Sequence, residues 1–260
     1  FWVLTGVVRA AAAGDALTVT SLVAKNTEFA PEAVIDVYTM FPMMFTNNPH
    51  IDGLFDHKEF ANNRQKYHST IVLDNAYERD TMELCYRAYY KAAGMDDEEI
   101  AWPELYFSDK EIGDAKVIID EHKKIFGEKP IALFHTGKTN WLGRNLELHK
   151  FEAVAKHLQD KGWSIIEVGG KETDKMGIES TKLQGVDSIS PRVSMAVISK
   201  ANLFVGIDSF PWNVAQTFKV PSVVGFGCID PKTRILDDKI TFDVRSKDKY
   251  CLGCHHKYRG

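Results

Sequence analysis

The chain has 260 residues, 44% of them hydrophobic and 26% charged, with 18 Gly and 9 Pro, which is the make-up of an ordinary globular protein and excludes disorder and collagen-like repeats. Lys and Arg number 32 against 36 Asp and Glu, a formal charge of -4 with both signs interspersed, so a broad nucleic-acid-binding face is not expected, while a local basic pocket is compatible. No run reaches the roughly eighteen apolar residues that a membrane span needs, and mean hydropathy is -0.24. Four cysteines, Cys85, Cys228, Cys251 and Cys254, are too few and too uneven for a secreted disulfide framework, which favours a reducing cytoplasm. The sequence opens at Phe1 into an apolar run with no basic segment ahead of it, so no signal peptide is expected in it and further residues are expected upstream.

Trp2 to Val8 is β-branched and apolar; then Arg9 and four alanines lead to Gly14-Asp15 and to a stretch with Leu17, Val19, Leu22 and Val23, read as strand, loop, helix. Ala33 to Tyr38 and Thr70 to Leu73 read as strands, and Tyr77 to Ala93 has helical spacing. Phe41 to Tyr67, rich in Asn, Asp, His and Pro, reads as long loops. A charged helix ends at Gly127, and the break at Phe126 to Pro130 places a domain boundary between residues 127 and 128, giving domains 1–127 and 128–260. Beyond it, Ile131 to Phe134 is a strand, Glu147 to Asp160 an amphipathic helix and Trp163 to Val168 a strand closed by Gly169-Gly170. Glu172 to Leu183 and Arg192 to Ser199 read as helices, followed by a strand at Asn202 to Gly206, a helix at Pro211 to Phe218 and a strand at Pro221 to Phe226. Alternation at this spacing predicts an α/β fold of parallel sheets with helices on both faces.

Open parallel sheets take ligands outside the carboxyl ends of their strands, and four such places stand out. Asp15 follows the first strand, where it is either a helix cap or a functional acid. The loop His135-Thr136-Gly137-Lys138-Thr139 and, a little beyond it, Arg144 suit phosphate oxygens. Gly170 and Glu172 follow another strand, placing an acid where ribose hydroxyls could donate to it. Asp208 and Ser209 open the helix that holds Asn213, where backbone amides and the Ser209 hydroxyl could hold a diphosphate.

In this order the four places resemble glycosyltransferase family 9, the heptosyltransferase-type enzymes that use ADP-heptose in lipopolysaccharide core assembly, and their relatives. The resembling residues are Arg9 through Thr20, Asn48-Pro49 through Asp52, the Gly137 to Arg144 loop, Gly169 through Glu172 and Val205 through Val224. The resemblance implies a GT-B-like architecture, two Rossmann-like domains facing across a cleft, with the acceptor mainly on the first and the nucleotide sugar mainly on the second. It implies Asp15 as general base, Arg144 in place of a phosphate-binding lysine, Glu172 at the ribose and Asp208 with Ser209 at the diphosphate. Phe210 stands where the family usually has Gly, and Asn213 where it has His, which alters the expected donor pocket.

Inverting sugar transfer needs a carboxylate to take the acceptor hydroxyl's proton, and positive charge or amides to stabilise the departing diphosphate. No two aspartates of this chain stand at i, i+2, so the Asp-x-Asp pair of metal-dependent transferases is missing and a metal-free mechanism is expected. The expected function is therefore transfer of a heptose or hexose from a nucleotide-diphosphate donor to a glycan or other hydroxyl acceptor, in the cytoplasm or at the inner face of a membrane. Two alternatives stay open: a P-loop phosphotransferase built on Lys138 and Thr139, whose pattern would start at Ala132, and a non-catalytic nucleotide-binding module. Cys251 and Cys254 have the spacing of half a metal site; His255 or His256 completes it, or ligands lie beyond Gly260, or the pair is a redox or plain thiol pair.

Overall fold

A computed structural model describes residues 4–10, 12–79, 82–137 and 142–245. They fall into two compact units, one holding the residues up to Tyr106 together with Lys232–Arg234, the other those from Phe107 to Pro231 and from Ile235 onward.

In the first unit β1 (Leu4–Arg9) leads into α1 (Ala13–Phe29), then β2 (Val34–Thr39), β3 (Gly53–Asp56), the short α2 (Phe60–Asn63), β4 (Ser69–Val72), α3 (Ala76–Arg79) and α4 (Cys85–Ala92). The sheet order is β3-β2-β1-β4, parallel throughout. Residues 16 to 24 of α1 are all buried, because the helix is covered on more than one side. Leu17, Val19, Leu22 and Val23 go into the core, while Ser21 donates to the Ala101 carbonyl at 2.6 Å and meets the Tyr90 hydroxyl of α4 at 3.2 Å. Two sequence expectations are corrected here. The supposed loop from Phe41 to Tyr67 contains β3, a four-residue strand whose pairing with β2 supplies what its short pattern could not announce. The single helix expected over Tyr77 to Ala93 is two, α3 and α4.

The second unit runs α5 (Asp109–Phe126), β5 (Ile131–His135), α6 (Leu148–Asp160), β6 (Ser164–Glu167), β7 (Thr181–Lys182), α7 (Pro191–Ile198), β8 (Leu203–Ile207), α8 (Phe210–Thr217), β9 (Ser222–Phe226) and β10 (Thr241–Arg245). Its order is β10-β9-β8-β5-β6-β7, again parallel. Numbered from β5, this is the doubly wound 3-2-1-4-5-6 arrangement. β5 is buried along its whole length, as a central strand covered on both faces must be. Phe151 and Ala155 of α6 close one face onto Phe134, Ile165, Val205 and Ile207, each large side chain contributing about 1.5–3 kcal/mol of apolar burial.

The helix α5 belongs with this second unit, so the division falls ahead of it and not at the Gly127 break. Its Ser108–Glu111 capping box fixes the start, and Glu111 pairs with Arg192 of α7 at 2.5 Å. The helix expected over Glu172 to Leu183 does not form; turns and the two-residue β7 occupy that stretch. The edge strand β10 escaped the sequence pattern because Phe242 and Val244, its apolar residues, face outward.

Candidate functional site

The strand order of the first sheet reverses between β1 and β4, and the crevice outside their carboxyl ends is the place where such a sheet takes ligands. Arg9 closes β1 and is 4% exposed. Its guanidinium donates to Asp15 Oδ2 at 2.5 Å, to Glu78 Oε1 at 3.0 Å, to the Leu73 carbonyl at 3.3 Å and to Asp74 Oδ1 at 3.4 Å. It also lies 5.5 Å from the centre of the Tyr77 ring and 5.7 Å from that of Tyr89. Burial works against its charge, yet Tyr89, Asp15 and Glu78 outweigh it and Arg9 is held protonated.

Asp15 is the third residue of α1, not its N-cap. The cap position is Ala12, at φ +62 and without a side-chain hydrogen bond, so the helix-cap reading of Asp15 is not realised. Its side chain keeps 21% exposure. The Tyr77 hydroxyl donates to Oδ2 at 3.4 Å, beside the Arg9 contact, and among the described residues Oδ1 accepts no hydrogen bond. Burial pushes the carboxyl's pKa up, while Arg9 and then Arg234 pull it back. Arg234 comes from the 232–234 stretch grouped with this unit and lies 4.6 Å over the Tyr77 ring. A carboxylate with one oxygen held, the other open and a raised proton affinity is equipped to act as a base.

The second sheet reverses between β5 and β8. After β5, Thr136 donates from its hydroxyl to the Asp174 carbonyl at 2.6 Å. Gly137 has φ +79, a left-handed conformation that favours glycine, and a Cβ there would displace the end of the Ile207 side chain. His135 Nδ1 lies 3.0 Å from the Val168 carbonyl; a carbonyl only accepts, so this nitrogen carries the proton. Burial holds the ring neutral, which leaves Nε2 an acceptor.

After β8, the Asp208 side chain is 5% exposed, with its Oδ2 3.5 Å from an Arg144 nitrogen; Arg144 also donates to the Asp208 carbonyl at 3.5 Å. Ser209 occupies the N-cap of α8, yet its hydroxyl donates to the Ile207 carbonyl at 3.0 Å and caps nothing. Pro211 has no N–H, so the first turn of α8 offers the amides of Phe210 and Trp212. Asn213 stands half-buried in the same turn.

Thr136, Gly137, Arg144, Asp208, Ser209 and Asn213 thus gather around the switch point of one sheet. Gly170 and Glu172 lie on the turns after the neighbouring β6, with Glu172 exposed. Lys138, Thr139, Cys251 and Cys254 lie outside the described residues. Ala132, where a phosphate loop would have to begin, is buried inside β5. Among the described residues no three His, Cys, Asp or Glu side chains gather as a metal site, and no helix is long and apolar enough to cross a membrane. Sequence reading missed Arg9, Tyr77 and Glu78 around Asp15, and the buried Glu167. An arginine ending a buried strand and a glutamate inside the next sheet were the available signals, since neither charge is tolerated there unpaired.

Among known proteins, the lipopolysaccharide heptosyltransferase 3 of Escherichia coli is 29% identical over 90 residues, which is 31% of this chain and 26% of that protein. The match therefore spans about a quarter of its length. A glycosyl transferase family 9 structure from Veillonella parvula superposes with a TM-score of 0.78 at 15% identity, covering 96% of this chain and 87% of that one. The E. coli ADP-heptose lipopolysaccharide heptosyltransferase II gives 0.68 at 15%, covering 96% and 92%. The iron-containing dodecameric glycosyltransferase TibC of enterotoxigenic E. coli gives 0.67 at 13%, covering 98% and 71%. Residues 44–258 match the model of "Glycosyltransferase family 9 (heptosyltransferase)", and with the two parallel sheets this establishes that the chain belongs to glycosyltransferase family 9.

Proposed function

We propose that this chain transfers a sugar from a nucleotide-diphosphate donor to a hydroxyl acceptor, with inversion at the anomeric carbon and without a catalytic metal. The observation that carries the reading is the chemistry of the two switch points. One presents a base and its cation; the other presents a glycine loop, an arginine and a helix N-terminus, the groups a diphosphate uses. ADP-heptose is the first donor to try, because the E. coli ADP-heptose lipopolysaccharide heptosyltransferase II shares this fold. A lipopolysaccharide-type glycan is the first acceptor to try, at the inner face of a membrane.

In this mechanism Asp15 Oδ1 takes the proton from the acceptor hydroxyl as that oxygen bonds to the anomeric carbon. The bond from the anomeric carbon to the diphosphate breaks, its electron pair leaving on the phosphate oxygen. Arg144 and the amides of Phe210 and Trp212 stabilise that charge. Arg9 and Tyr77 hold Oδ2, so the base is oriented before the acceptor arrives. Glu172 accepts from the ribose hydroxyls. The Cys251 and Cys254 pair would hold a structural metal ion.

The test is transfer from ADP-heptose to a heptose-deficient lipopolysaccharide core in the presence of EDTA. Product of inverted anomeric configuration at an undiminished rate is expected. Dependence of turnover on added Mg²⁺ would sink the metal-free mechanism.

A further inference from the structure

The glutamate that ends β6 faces inward. Glu167 is 0% exposed, and an ionised carboxylate so placed is tolerated only if its oxygens are satisfied. Both are. Oε2 accepts from the Met176 amide at 2.9 Å and from the Gln184 side chain at 2.9 Å. Oε1 accepts from the Ser180 hydroxyl and from the Lys182 ammonium at 2.9 Å. These four donors outweigh burial and keep the carboxyl ionised.

All four partners come from the segment 176–184, which returns after the turns carrying Gly170 and Glu172. The same stretch is tied at its other end, where the Asp174 carbonyl receives the Thr136 hydroxyl at 2.6 Å. Gly169, at φ +155, lets the chain turn so sharply that a Cβ there would fall 2.3 Å from Thr173 Oγ1. A stretch that the sequence pattern would make a helix is instead a run of turns and the short β7, gathered around one buried carboxylate.

We infer that Glu167 is a positioning residue for the donor site: through the 176–184 segment it fixes the turns that bring Gly170 and Glu172 to the nucleoside part of the donor. The inference rests on the donor reading given above. Glu167 itself touches no substrate, and the phosphate-binding groups at Arg144 and α8 do not depend on it.

The chemistry of the amide supplies a sharp test. In Glu167→Gln the side chain keeps its shape but has one accepting oxygen. Turned either way, its NH2 faces a donor that cannot reverse, the Met176 amide on one side or the Lys182 ammonium on the other. Removing that ammonium as well, in Glu167→Gln with Lys182→Met, frees one orientation: the NH2 meets Ser180, whose hydroxyl can accept, and the oxygen keeps Met176 and Gln184.

ADP, UDP and GDP are titrated calorimetrically in turn into the wild-type protein and both variants, with inorganic pyrophosphate alongside, and exchange of the Met176 amide, which donates to Glu167, is followed. The single variant is expected to bind the preferred nucleoside diphosphate about tenfold or more weakly, to hold pyrophosphate within about twofold and to exchange that amide faster; the double variant returns to within about threefold of wild type. Unchanged nucleotide affinity in the single variant overturns the inference. So does equal loss of nucleotide and pyrophosphate, which marks general damage. If the wild-type protein binds none of the three nucleotides, the donor reading itself falls.

Discussion

Arg144 leans on Asp208 through two contacts at 3.5 Å, one to the carboxylate and one to the main-chain carbonyl. A buried carboxylate would repel a diphosphate, so Asp208 is suited to serve that ligand by holding Arg144 in place and not by touching it. Arg144→Ala should weaken ADP binding by about 1.5–3 kcal/mol, the worth of a charge-assisted hydrogen bond, and leave adenosine binding unchanged. Calorimetric titration with the two ligands measures the contrast. Equal losses for both would point to a damaged fold and remove Arg144 from the phosphate site.

Asp15→Asn should lower kcat by about 10² to 10⁴-fold, the usual worth of a general base, with donor affinity nearly intact. The pH profile offers a second measurement. Burial raises the Asp15 carboxyl above its ordinary 3.8, and a base works only when ionised, so activity should fall as pH drops through that raised value. A variant within tenfold of wild-type turnover would leave Asp15 with a merely electrostatic place in the first turn of α1.

The helix pair α5 and α7 should carry its own acid sensitivity. Arg192 holds Glu111 down to about 2 from 4.5, helped by Ser108. A carboxyl depressed on folding contributes stability that is present above its unfolded value and lost as pH falls through the folded one. The difference in thermal midpoint between wild type and Glu111→Gln should therefore be largest above pH 4.5 and vanish near pH 2. A difference that stayed constant over this range would mean that the charge of Glu111 adds nothing beyond its hydrogen bonds.

Ala12 stands at φ +62 immediately before α1, a conformation that costs a residue with a Cβ of order 1–3 kcal/mol. Ala12→Gly should raise stability by about 1 kcal/mol once the looser unfolded chain is subtracted, and Ala12→Val should lower it. Urea midpoints at constant slope would register both. Equal stability of all three would show that the backbone at position 12 is not strained.

Much of this molecule was legible in the sequence where one element's own pattern decides its structure. α6 shows its core face through Phe151 and Ala155, and β5, β8 and β9 are apolar runs ended by loop residues. Asp15 and Ser209 could be found because a βα turn marks the carboxyl end of a strand. What stayed hidden depends on partners far along the chain: Arg9 meets Asp74 and Glu78 across 65 and 69 residues. The edge strands β3 and β7, of four and two residues, are too short to show a period, and β10 turns its apolar residues outward. The stretch from Glu172 to Leu183 read as a helix, whereas in the structure the buried Glu167 draws donors from Met176, Ser180 and Lys182 within it.

The stretch Lys232–Arg234 belongs with the first unit although some 125 residues of the other unit separate it from Tyr106, the last earlier residue of its own. During synthesis the ribosome therefore delivers β1 to β4, and with them Arg9, Asp15 and Tyr77, long before it delivers Arg234. A nascent chain can assemble that sheet early, since domains fold as units from the amino end. The second cation over Tyr77 arrives only when nearly all of the other unit has been made. The unit that begins first in the chain is thus complete only once residue 234 has been made, and the surroundings of Asp15 gain Arg234 late in synthesis.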